Sequence, residues 1–293
     1  VARGDERSET PTVRLASGMV ATIRPDPFEA GSRILVVDGT PQSHVDLEDP
    51  THLSFEYVRR IGHAIDVVRP AGEPITAVHL GAGAFTLPRY VAATRPGSRQ
   101  QVVEIDEDLA AFVRRELPLP RGASIRVRYG DAREVLSRLP AGLRGQADVV
   151  VSDIFAGART PAHVTSAEYY REVAEVLAPD GLLAVNVADG AGLAFARSQA
   201  ATLSHVFDHV ALAADPQMLK ARRFGNIVAF ASNTGLPFES LPRRLAGDPV
   251  ASRLVEGADV GRFAAGAPIA TDQTATGSPS PARSVFQVPR GGG

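Results

Sequence analysis

Between residues 75 and 187 the chain alternates short, almost wholly apolar runs with amphipathic stretches, and no other feature constrains its fold as tightly. The runs cover residues 75–80, 101–105, 125–129, 147–154 and 182–187; the stretches between them centre near Val91, Phe112, Val135 and Val173. Runs that are nearly continuously apolar, as these are apart from 125–129 (IRVRY), are strands buried on both faces. The pattern predicts an α/β doubly wound, mostly parallel sheet covered by helices on both sides. Two further strands, 209–213 and 226–231, are separated by the polar segment 214–224, too short for a crossover helix. They are expected to form an antiparallel C-terminal hairpin on that sheet.

Ahead of this region, residues 1–49 read as a small N-terminal β-domain. Strands at 12–16 and 19–24 flank a Ser17-Gly18 turn, a third at 33–38 ends on Asp38-Gly39, and 43–47 alternates as a fourth. A sheet this small is marginal alone, so it should pack on the main domain or on another subunit. A helix over 50–68 carries Leu53, Tyr57, Ile61 and Ile65 at helical spacing. The resulting division is 1–49, a nucleoside-binding domain at 50–257, and a Gly/Pro/Ser-rich tail at 258–293 expected to be mobile.

Composition excludes several chemistries. Cysteine is absent, which removes disulfides, thiolate catalysis and cysteine metal sites. Lys220 is the only lysine and lies in neither a phosphate loop nor a Schiff-base context. A formal net charge of -2 favours neither nucleic acid nor an anionic membrane. No apolar run reaches the roughly 20 residues of a membrane helix, and VARGDERSETPTVR lacks the apolar core of a secretory signal. The expectation is a cytoplasmic protein. His205 and His209 are four apart but straddle a helix-strand junction, so no metal is expected.

Ligands of an open parallel sheet bind beyond the carboxyl ends of its strands. The first strand ends in Gly81-Ala82-Gly83, the second in Glu104 with Asp106 behind it, the third in Gly130-Asp131-Ala132, the fourth in Asp153. Glycines let backbone approach a ligand, and an acid about 20 residues on takes two ribose hydroxyls. No third glycine follows, Phe85 standing where a dinucleotide fingerprint keeps a small residue, so a nucleoside without a pyrophosphate is expected. Asp131 reads equally as a helix cap or an adenine ligand, and Asp106 also as a cap. Asp153, followed by a loop, has no capping duty and is the catalytic candidate. His79 inside the first strand reads as a packed, hydrogen-bonded core histidine.

ILVVDGTPQS, GAGAFTLPR, VVEID, GDAREVL and DVVVSD occur in the order and spacing of the spermidine synthase-like aminopropyltransferases, and the chain resembles that family from residue 34 to residue 233. The resemblance implies a methyltransferase-like Rossmann domain behind a small β-domain, and a homodimer. It implies decarboxylated S-adenosylmethionine as co-substrate, a small-molecule amine as acceptor and a place in polyamine biosynthesis. By motif, Gln42 would contact the thio-nucleoside, Gly81 and Gly83 would form the loop, and Glu104 would take the ribose. Asp131 and Ala132 would read the adenine, and Asp153 would sit beside the reacting amine. Three positions depart from the family. Ala84 replaces the acid that helps to hold the donor's free amine, Ala156 replaces a second acceptor-side aspartate, and Phe55-Glu56-Tyr57 stands for the acceptor-side Tyr-His/Gln-Glu segment. They leave open a methyltransferase using intact S-adenosylmethionine, or a non-catalytic nucleoside-binding relative.

Overall fold

The computed structural model describes residues 10–280. Four antiparallel strands, β1 (Thr12–Arg14), β2 (Val20–Pro25), β3 (Ser32–Val37) and β4 (Thr40–Asp46), form the small sheet in sequential order. Its first turn closes through Leu15 N–H to Met19 O at 2.9 Å, and Gly18 there has φ +86°, which suits glycine. Helix α1 (Glu56–Val68) then leads into the large sheet: β5 (Thr76–Leu80), α2 (Thr86–Thr94), β6 (Arg99–Glu104), α3 (Glu107–Glu116), β7 (Ser124–Tyr129), α4 (Ala132–Ser137) and β8 (Ala147–Ser152). The chain continues through α5 (Ala167–Ala174), β9 (Leu177–Asp189), α6 (Ala194–Val206), β10 (His209–Ala214), α7 (Pro216–Leu219), β11 (Gly225–Ser232), α8 (Leu241–Ala246), β12 (Arg253–Glu256) and α9 (Ala258–Ala264).

The large sheet runs β12-β10-β11-β9-β8-β5-β6-β7. Strands β5 to β9 pair in parallel, whereas β11 enters antiparallel between β9 and β10. Val78, Leu80, Val150 and Leu183 bury one face against α4, α5 and α6; Ala77, Val149, Val151 and Leu182 bury the other against α1 and α2. This is the doubly wound, mostly parallel α/β architecture with an antiparallel C-terminal pair that the apolar runs predict. The small sheet packs on α3 and the glycine loop through Leu35, Val37, Phe85, Phe112 and Val113.

Two features depart from the sequence reading. Helix α6 was expected only at its end, before the His205–His209 junction, because its buried face is Phe195, Ala196, Gln199, Ala200, Thr202 and Leu203, with few large apolar side chains to mark a period. It also starts from Leu193 at φ 55° without a side-chain cap. Second, the segment after Gly257, expected as a mobile tail, is ordered from 258 to 280; residues 281–293 of that expectation lie outside the described residues. Helix α9 extends the fold, and a strap then crosses α5 and α6. Ala167 N–H donates to Ala270 O at 2.8 Å, Ala270 N–H to Thr202 Oγ1 at 2.9 Å, and Thr160 N–H to Ser278 Oγ at 2.8 Å. Ser278 is wholly buried, and polar backbone with internal partners of this kind does not belong to a solvated tail.

As expected, His205 and His209 straddle a junction: His205 sits in the last turn of α6, 3.1 Å from Arg171, and His209 opens β10. Among the described residues no helix is long and apolar enough to cross a membrane.

Candidate active site

A cavity of about 750 Å³ lies beyond the carboxyl ends of β5, β6, β7 and β8, closed on one side by the small sheet. Its floor is the turn after β5. Gly81 has φ +96°, and a Cβ there would collide with the backbone oxygen of Asp153; Gly83 has φ +48°, and a Cβ would collide with Ser43 Oγ. That hydroxyl accepts a hydrogen bond from Ala84 N–H at 3.0 Å, so β4 grips the loop directly. Phe85 adopts φ 60° and turns its ring into the core beneath the small sheet. Its bulk is spent on packing the two sheets together, away from the cavity.

Glu104 ends β6 and is buried. One carboxylate oxygen accepts from Ala82 N–H and the other from Asp106 N–H, each at 3.0 Å. Burial raises its pKa while these backbone donors oppose the shift. Each oxygen keeps a lone pair, so the group can still take a pair of hydroxyls on its cavity side. Asp106 caps α3 through Leu109 N–H at 2.9 Å. Asp131 caps α4 through the N–H groups of Arg133 and Glu134, and its second oxygen meets His163 Nε2 at 2.7 Å. The capping role is therefore present, and Asp131 and Ala132 also line the cavity. Gln42 lines it as well, with its amide nitrogen donating to Gly157 O at 3.2 Å. His163, which the sequence did not single out, reaches the site from a loop that the strap of residues 266–280 holds in place.

Asp153 follows β8 and is half-buried at the cavity wall. Asn186 Nδ2 donates to its Oδ1 at 2.8 Å, and Asn226 Nδ2 in turn donates to Asn186 Oδ1 at 2.9 Å. Tyr57 hydroxyl is its other partner. Both partners are neutral, so burial dominates and raises the Asp153 pKa, while the phenol beside it is held well above its usual value. A carboxylate held by neutral donors at a cavity wall has no counter-cation of its own. Ala156, by contrast, is exposed in a small turn bridged to Arg159, and it supplies no charge.

His79 is buried and pairs through Nε2 with Gln100 Oε1 at 2.9 Å, as a core histidine should. Because the glutamine oxygen only accepts, Nε2 carries the proton and Nδ1 is left as an acceptor without a partner. Burial pushes its pKa down to about 4 from 6.5. The unfolded chain therefore binds the extra proton first, and stability is lost as pH falls from 6.5 toward 4. The shift is equivalent to about 3 kcal/mol. Urea unfolding across that window should show this slope, and His79→Gln should flatten it; an unchanged slope in the variant would assign it to other groups.

The lining carries six carboxylates, Glu104, Asp106, Glu107, Asp108, Asp131 and Asp153, and among the described residues that line the cavity there is no arginine or lysine.

No protein-family model matches the chain. It is similar to the crystal structure of a probable spermidine synthase from Corynebacterium glutamicum, at 33% identity and a TM-score of 0.81, covering 89% of this chain and 96% of that one. A polyamine aminopropyltransferase of Vibrio vulnificus is 31% identical over 144 residues, 48% of this chain and 46% of the relative. The chain spans about half the length of the curated relatives it matches. A spermidine synthase solved in complex with the transition-state analogue AdoDATO is 15% identical with a TM-score of 0.55, over 82% of this chain and 78% of that one, a likeness of fold alone.

Proposed function

Because the chain belongs to the spermidine synthase-like family, we propose that it transfers an aminopropyl group from decarboxylated S-adenosylmethionine to a polyamine-type amine. The observation that carries this reading is the lining with six carboxylates and no arginine or lysine. The decarboxylated donor bears a sulfonium and an ammonium and no carboxylate; a polyamine is a polycation. Both are attracted by such a wall, whereas the carboxylate of intact S-adenosylmethionine would meet like charge.

In the proposed reaction, Glu104 holds the ribose and Gly81 to Gly83 let the backbone pass close to the nucleoside. Asp131 and Ala132 flank the adenine, and Gln42 bounds the thioether side. The acceptor nitrogen attacks the methylene bonded to sulfur. A C–N bond forms as the C–S bond breaks, and the electron pair leaves with the thioether, methylthioadenosine. The amine must lose a proton to expose its lone pair, and Asp153 takes it. Its raised pKa and neutral partners suit it to a base that holds an ammonium and then receives the proton.

Assay of thioadenosine release with putrescine, spermidine and related amines tests the activity; complete inactivity with intact nucleoside binding would overturn it. Glu104→Gln is expected to weaken nucleoside binding by about 1.5–3 kcal/mol, roughly ten- to a hundredfold in Kd. Titration calorimetry checks this, and an unchanged Kd would remove Glu104 from the ribose site. Ala84, buried where the family's loop keeps an acid for the donor's amine, favours one second reading, methyl transfer from intact S-adenosylmethionine.

A further inference from the structure

Away from the cavity, on the outer side of the small sheet, four side chains converge that the reaction does not use. Asp26 lies in the turn between β2 and β3 with Glu29, His44 is on β4, and His52 lies in the segment before α1. His44 has a side chain only 1% exposed. Its Nε2 lies 3.0 Å from Glu29 Oε2 and 3.4 Å from Asp26 Oδ2. Neither contact has hydrogen-bond geometry, and both ring nitrogens are without a hydrogen-bond partner. A buried imidazole left in that state is destabilising until a partner satisfies it.

The three facing atoms lie within 4.8 Å of one another. Nitrogen and oxygen ligands about 2.0–2.1 Å from a tetrahedral ion are roughly 3.3 Å apart, close to the 3.0 and 3.4 Å that separate His44 Nε2 from the two carboxylate oxygens. Asp26 is oriented for this by its other oxygen, which accepts from Phe28 N–H at 2.7 Å and Glu29 N–H at 3.1 Å, leaving Oδ2 toward His44. Glu29 Oε1 takes Ser54 Oγ at 3.4 Å, and His52 Nε2 lies 2.8 Å from Glu29 Oε2 on the solvent side.

We propose that Asp26, Glu29 and His44 form a binding site for a divalent transition cation, zinc foremost, with His52 supporting Glu29 from the solvent side. Two carboxylates balance the charge of the dication. Imidazole and carboxylate donors without thiolate suit borderline ions over calcium or magnesium. The buried histidine gains the partner it lacks. The half-exposed Glu29 and His52 give the ion an entry path and the site its open side. The bound ion clamps the β2–β3 turn and β4 to the segment leading into α1. Two neighbours tie this clamp to the cavity: Ser43, which holds the glycine loop, and His44 O, which accepts from Thr86 Oγ1 at 2.9 Å. The ion itself stands apart from the reacting groups and takes no part in the transfer.

The test is titration of the chelator-stripped full chain with zinc chloride against a chromophoric competitor, with thermal melting alongside. Expected is one tight equivalent of zinc that raises the melting temperature. Glu29→Gln and His52→Ala change exposed side chains and should leave the zinc-free melt as it is. Each should weaken zinc by at least the roughly 10- to 100-fold that loss of a supporting group costs. Absence of stoichiometric binding would overturn the proposal. So would binding that both variants leave unchanged, which would place the ion on other histidines.

Discussion

Asp153→Asn is expected to lower aminopropyl transfer by roughly 10²- to 10⁴-fold, the usual contribution of a positioned general base. Nucleoside affinity should stay within a few-fold, because Glu104 and the glycine loop are untouched. The asparagine keeps the shape and the hydrogen bond from Tyr57, but it can neither accept a proton nor hold an ammonium by charge. The pH profile gives the sign. Only the carboxylate form serves as base, so kcat/KM of the wild type should fall as pH drops through the raised pKa of Asp153. This acid limb should vanish in the asparagine variant. Tyr57 hydroxyl favours the carboxylate form, so Tyr57→Phe should move the limb to higher pH. An Asp153→Asn enzyme with undiminished turnover would remove the base from its assigned place.

Arg95→Met is expected to cost about 3–5 kcal/mol of folding stability, because it leaves several buried backbone acceptors without a donor. The guanidinium is 1% exposed and gathers five backbone carbonyls. Nη1 donates to Pro70 O and Glu73 O, both at 2.9 Å; Nη2 donates to Ile65 O, Asp66 O and Arg69 O at 2.9–3.0 Å. These are the last carbonyls of α1 and the turn leading to β5, which the helix cannot satisfy itself. Methionine would fill the volume and leave the acceptors stranded. Lysine should recover only part of the loss, since three rotating donors cannot reproduce a planar fork. Urea unfolding measures both, and a loss under about 1 kcal/mol for Arg95→Met would mean that water replaces the guanidinium.

The large sheet was legible because β5, β8 and β9 each hold a run of adjacent apolar residues, a pattern typical of strands covered on both faces. The site was legible for a related reason. Strand ends are fixed by those runs, so Gly81, Glu104, Asp131 and Asp153 could be placed on one edge before any contact was known. What escaped depends on small or polar residues and on distance in sequence. The extent of helix α6 escaped, because beside Phe195 and Leu203 it buries alanines, a glutamine and a threonine, which carry little periodic signal. The strap at 266–280 has the composition of a linker and is ordered by hydrogen bonds to residues about 70 to 120 positions away. His163 enters the site through Asp131, and Asp26, Glu29 and His44 meet only when the small sheet forms, with His52 brought to them by the segment before α1. No local spacing announces such encounters.

The acidic cavity is expected to select a donor without a carboxylate. Titration calorimetry of the chain with decarboxylated and intact S-adenosylmethionine, each repeated on Glu104→Ala, tests it most directly. Tighter binding of the decarboxylated donor, with both ligands weakened by Glu104→Ala, is the predicted result. Tighter binding of the intact donor would contradict the claim and favour methyl transfer, and binding of neither would take the cavity out of nucleoside chemistry.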